Sequence, residues 1–117
     1  MSHVVIRADG GPEVGYGHLV RTGALAEVLL NRGDRVTYAT ATPEGVDTAC
    51  PDGVEMVVLS SRTDPEPVCE LVEEDVDLVV ADSYVFDVEY QRQVRERVPL
   101  VVVVDDTRHP IDADVVV

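Results

Sequence analysis

Short apolar runs alternate along this chain with longer stretches in which apolar residues recur at helical spacing. The runs cover residues 4–7, 36–40, 54–59, 78–81, 100–104 and 115–117, and their length and β-branched content predict strands. Between them the period changes. Over residues 17–32, Leu19, Leu25, Leu29 and Leu30 make a broad apolar face and Gly33 supplies a stop, which predicts the longest helix. A short helix follows Pro43 with Thr42 as its N-cap. Asp64 and Pro65 open another that reaches about residue 74, with Val68, Leu71 and Val72 on one side. Residues 87–97 predict a fourth helix, in which Tyr90 and Val94 lie one turn apart.

Strands of continuous valine and leucine imply burial on both faces, because a strand with one wet face alternates apolar with polar residues. Strand and helix in regular succession then give an α/β domain. The expectation is a doubly wound, Rossmann-like parallel sheet with helices on both faces, in one domain over residues 1–117.

In such a sheet ligands collect beyond the carboxyl ends of the strands. Asp9, Asp82, Asp105 and Asp106 all follow predicted strands, so all are placed to face one crevice. The first of these turns is glycine-rich and ends in Gly15-Tyr16-Gly17-His18. Gly15 and Gly17 either let the backbone approach a diphosphate at the positive end of the helix or serve a plain tight turn. His18 falls in the first helical turn, where the dipole favours a neutral ring competent as a base; its alternative is a capping or core histidine. Arg7 and Asp9 either pair to brace the loop or touch substrate. Tyr84 either lines a pocket or covers the sheet edge. One of Asp105 and Asp106 is expected to cap a turn with Thr107. His3 and His109 lack such context and read as surface residues, and Glu70, Glu73, Glu74, Glu89 and Glu96 as a solvated acidic face.

Three blocks resemble one family signature: Arg7-Ala8-Asp9 through Gly17-His18, then Asp82-Ser83-Tyr84, then Asp105-Asp106 leading to Asp112-Ala113-Asp114. Together they are similar to the PseG-type UDP-sugar hydrolases, the UDP-2,4-diacetamido-2,4,6-trideoxy-altropyranose hydrolases of pseudaminic acid biosynthesis. The resemblance implies the N-terminal half of a two-domain GT-B fold and water attack at the anomeric carbon, displacing UDP with inversion. It implies His18 as the base that activates the water, and substrate contacts from Asp9, Gly15, Tyr16, Gly17, Asp82, Tyr84 and Asp106. It implies neither a metal nor another cofactor. The family's second, nucleotide-binding domain does not lie within residues 1–117, and the closing valine strand reads as cut, so these residues alone are expected to be inactive. Two other classes remain open. One is the acceptor-side domain of a MurG-type GT-B glycosyltransferase, for which a lipid acceptor would need exposed apolar or basic residues that the sequence does not display. The other is a non-catalytic binding module.

Charge narrows the partners. The nine basic residues are all arginine and stand against 23 carboxylates, for a formal net charge of -14. Such a balance repels nucleic acid and anionic membrane; a UDP-linked nucleotide sugar as partner is what the resemblance implies. Two origins fit an acidic, lysine-free composition: a high-salt cytoplasm, where screening removes self-repulsion, or an ordinary acidic protein from a GC-rich genome. Cys50 and Cys69 have no metal-type spacing and are expected to be reduced. The longest apolar run, residues 100–104, is far short of the roughly 20 residues of a membrane helix, and no leader is visible, so a cytoplasmic location is expected.

Overall fold

The computed structural model describes residues 2–12, 15–73, 75–82, 87–102 and 115–116. In chain order the elements are β1 (His3–Ala8), α1 (Gly17–Asn31), β2 (Arg35–Thr40), α2 (Pro43–Ala49), β3 (Glu55–Val58), α3 (Glu66–Leu71), β4 (Leu78–Asp82), α4 (Val88–Arg95), β5 (Leu100–Val102) and β6 (Val115–Val116). The strands form one sheet of order β3-β2-β1-β4-β5-β6, and every pairing is parallel. This is the doubly wound arrangement.

The valine runs are continuous because β1 and β4 sit mid-sheet, where both faces are dry. Along β1, Val4, Ile6 and Ala8 join Val36, Tyr38 and Val80 under Leu19 and Ala26 of α1 and Val46 of α2. Val5 points the other way, into a second core with Ala39, Val79 and Ala81 under Val68 of α3 and Tyr90 and Val94 of α4. Each fully buried valine or isoleucine contributes about 1.5–3 kcal/mol relative to exposure, so the central strands anchor the domain. At the edge the same kind of sequence has another meaning. β3 is equally apolar, yet Met56 and Val58 are exposed because β2 is its single neighbour.

Local chemistry sets the helix ends, with three departures from expectation. Asp87 caps α4 by accepting from the Tyr90 N–H at 2.8 Å. Thr42 precedes α2 but makes no side-chain cap; its hydroxyl instead accepts from the Gly10 N–H at 2.9 Å and lies 3.1 Å from the Thr40 hydroxyl. α3 ends at Leu71, short of residue 74, because the chain must reverse into β4, which it does with Asp75 in the left-handed region at φ 58°. His3 is buried rather than exposed, with Nε2 2.8 Å from the Thr37 hydroxyl and Nδ1 3.3 Å from the Asp75 carbonyl oxygen. As the first residue of a central strand it is covered by β2 and the Asp75 turn. Both cysteines are free thiols, Cys69 buried and Cys50 half-buried.

Candidate active site

The strand order reverses between β1 and β4, and that junction is where a doubly wound sheet opens a crevice at its carboxyl end. Ala8 pairs with Asp82 there, so Asp9 and Asp82 emerge side by side from the ends of the two strands. The chain leaving β1 makes a small closed loop. Gly11 and Gly15 exchange both backbone hydrogen bonds, at 3.1 and 2.7 Å, and Gly15 takes φ 88°, which a side chain would strain. Since the Gly15 N–H is spent inside the loop, a phosphate arriving there would meet α1's first turn instead. That turn has no acidic residue, and Tyr16 before it makes no side-chain cap.

His18 stands in this first turn. Its Nδ1 lies 2.6 Å from Oδ1 of Asp82, across the switch point. Arg21, one turn further along α1, completes the cluster: its Nε donates to Asp82 Oδ2 at 3.0 Å and its Nη2 to Oδ1 at 2.8 Å. The same Nη2 is 3.0 Å from His18 Nδ1. An ionised carboxylate can only accept, so the 2.6 Å contact calls for the Nδ1 proton to lie toward Asp82. The Asp82 side chain is 1% exposed and that of His18 12%, so the pair is largely desolvated while the ring still reaches solvent.

Asp9 belongs to a different assembly. It is fully buried and accepts at Oδ1 from Arg7 Nη1 (2.8 Å), the Thr40 hydroxyl (3.0 Å) and the Ala41 N–H (2.8 Å), and at Oδ2 from Arg62 Nε (3.2 Å). Arg7, equally buried, also donates to the Tyr90 hydroxyl and to the carbonyls of Ala39 and Arg62. Burial pushes the Asp9 carboxyl up, but its bond to Arg7, the Arg7 charge, the Ala41 N–H and Arg62 outweigh it and hold the group below its ordinary value. The expected ion pair is therefore present, and it ties β1, β2, α4 and the chain after β3 together beneath the crevice.

Two concavities flank the switch point. A crevice of about 580 Å³ lies between the glycine loop and α2, lined by Gly10, Gly11, Tyr16, Thr42, Glu44 and Gly45 among others, and no basic side chain lines it among the described residues. Its floor is tight: a Cβ on Gly45 would stand 2.1 Å from the Gly10 carbonyl oxygen. On the other side of α1 a groove of about 430 Å³ is walled by Val4, Leu25, Leu29, Leu78, Val80 and Val101, with Arg21 and Asp82 at one end. The sequence showed no apolar acceptor surface. The fold makes an apolar groove by bringing together α1, β4 and β5, whose residues each read separately as core.

Of the residues singled out from sequence, the structure joins His18 to Asp82, places Tyr16 on the crevice and seals Asp9 beneath it. Gly17 opens α1 with nothing within 4 Å of its Cβ position. Tyr84, Asp105 and Asp106 lie outside the described residues. Sequence reasoning missed Arg21, although a basic residue three positions after a helical histidine shares its face. It also missed Arg62 and Thr40, for which no local signal exists. Among the described residues no group of three or more histidine, cysteine, aspartate or glutamate side chains is placed to hold a metal, and no helix is long and apolar enough to cross a membrane. No family model and no curated protein matches this chain.

Proposed function

We propose that this domain supplies the general base of an enzyme that hydrolyses a UDP-linked amino sugar, with His18 as that base. The observation that carries the reading is the His18–Asp82 pair spanning the switch point, 2.6 Å apart and nearly desolvated. A neutral imidazole that donates Nδ1–H to a buried carboxylate carries its lone pair on Nε2 and is fixed in orientation. In the proposed step Nε2 takes a proton from water while the water oxygen bonds to the anomeric carbon. The bond from that carbon to the diphosphate breaks, its electron pair leaves with UDP, and the ring later returns its proton to solvent. Charge supports the division of labour. Glu44 and the lack of a basic side chain among the described lining residues suit the crevice to an uncharged glycosyl group, and the diphosphate falls to other parts of the enzyme, as the GT-B resemblance implies.

The test is product analysis of the full-length protein with a UDP-linked diacetamido-trideoxy hexose in H₂¹⁸O. Hydrolysis by this route releases UDP free of the label and a sugar labelled at its anomeric oxygen with inverted configuration. No release of UDP, or label in UDP, would sink the reading. A second reading, transfer to an amphipathic acceptor in a MurG-like manner, is favoured by the apolar groove that ends at Asp82. It predicts glycosylated acceptor in place of free sugar in the same experiment.

A further inference from the structure

We infer that Gly11 decides what enters the crevice between the glycine loop and α2: the place of its missing side chain is ligand space, where a glycosyl ring comes up against bare backbone. This role rests on the reading of that crevice as the glycosyl site.

The glycines around the crevice are not alike. A Cβ on Gly10 would stand 2.6 Å from Leu19 Cδ1, so α1 needs that position bare. Gly45 is fixed by the Gly10 carbonyl, and Gly15 by its φ of 88°. Each of the three is a demand of the fold. Gly11 is not. Its φ lies outside the left-handed region, and among the described residues no atom comes within 4 Å of where its Cβ would be. Gly11 is nevertheless buried and lines the crevice, so the space beside it belongs to the crevice. Gly17 marks the contrast: its Cβ position is open too, but it is exposed, at the start of α1. Where the fold sets no condition, alanine is the more stable choice, because glycine loses more backbone freedom on folding. The bare backbone at Gly11 therefore answers to what the crevice holds.

The walls set the class of ligand. Pro12, Tyr16 and Pro43 offer apolar surface, Thr42 and Thr48 hydroxyls, and Glu44 a carboxylate. Apolar surface beside oxygen acceptors fits a ring with apolar faces and hydroxyl or amide donors on its rim, as a glycosyl unit has. Pressed against Gly11, such a ring gains close contact that any side chain there would take away.

Gly11→Ala and Gly11→Val in the full-length protein separate this role from a requirement of the loop. Gly11→Ala is expected to melt at or above the wild-type temperature. Calorimetry should show it weakening the UDP-linked diacetamido-trideoxy hexose by about 10-fold or more, the usual effect of one methyl in a fitted pocket, and Gly11→Val weakening it further. Affinity for UDP alone should stay at the wild-type value, because the methyl meets the glycosyl unit and not the diphosphate. A Gly11→Ala protein that melts well below the wild type would assign the glycine to the loop and overturn the role. So would wild-type affinity for the nucleotide sugar in the folded variant, or an equal loss for UDP. Binding needs no turnover, so the two claims fail separately. A wild type that binds the sugar without cleaving it, with that binding lost in Gly11→Ala, would remove the hydrolysis and leave Gly11 standing. A wild-type KM in a hydrolysing Gly11→Ala protein would remove Gly11 and leave the hydrolysis.

Discussion

Replacing Asp9 with asparagine should be among the most damaging single-atom changes in this domain. The carboxylate accepts four hydrogen bonds within 2.8–3.2 Å, two of them from guanidinium groups. Asparagine keeps one acceptor oxygen and turns the other position into a donor, which must face Arg7 or Arg62. Arg7, fully buried, loses the charge that offsets its own. Breaking a buried pair from one side costs about 3–5 kcal/mol, against a total stability of about 5–15 kcal/mol for a typical domain. With a urea m-value of about 2 kcal/mol/M, the midpoint at pH 7 should fall by about 1.5–2.5 M. Arg7→Met should cost a similar amount, and the double variant less than the sum, because the second change removes the group that the first left stranded. An Asp9→Asn loss under about 1 kcal/mol, or strictly additive single effects, would refute this view of the brace.

The same residue fixes the sign of a pH dependence. Asp9 is held below its ordinary value of 3.8 when folded, so its contribution is fully present above that value. It is lost as pH falls through the lower folded value. Acid unfolding of the wild type should steepen below about pH 4, and Asp9→Asn should show a shallower slope there.

Gly45→Ala should lower the thermal midpoint by an amount equivalent to about 1–3 kcal/mol, because the new methyl meets the Gly10 carbonyl at 2.1 Å and backbone must move to admit it; an unchanged melt would refute the close fit of α2 against the glycine loop. If the 23 carboxylates reflect adaptation to salt, the midpoint should rise between about 0.1 and 1 M KCl, as the Debye length contracts from about 10 to about 3 Å. A flat or falling midpoint would favour the merely acidic origin.

The fold class was legible because burial on both faces leaves a plain trace in β1 and β4, and because Gly33, Pro43 and Asp87 punctuate the helices. Less legible were features decided by neighbours rather than by the segment itself. β3 carries a core-like sequence yet is an edge, and His3 is buried because of what pairs beside it. At the site, the loop and His18 were visible as a pattern. Asp82 was visible too, as a strand-end carboxylate, but its pairing with His18 was not, nor was Arg62 as partner of Asp9, since these lie 64 and 53 positions apart and such side chains meet only once the sheet order is known. Arg21 is the exception, readable in principle from its spacing along one helix.

The central claim is that His18 is a base, and its most direct test is the turnover of His18→Asn in the full-length protein with the UDP-linked sugar. Asparagine can still donate toward Asp82 but cannot take a proton from water. The account predicts a thermal midpoint and UDP affinity close to wild type, with kcat lowered by the roughly 10²- to 10⁴-fold typical of losing a general base. Retention of most of the wild-type rate by a folded His18→Asn protein would contradict it.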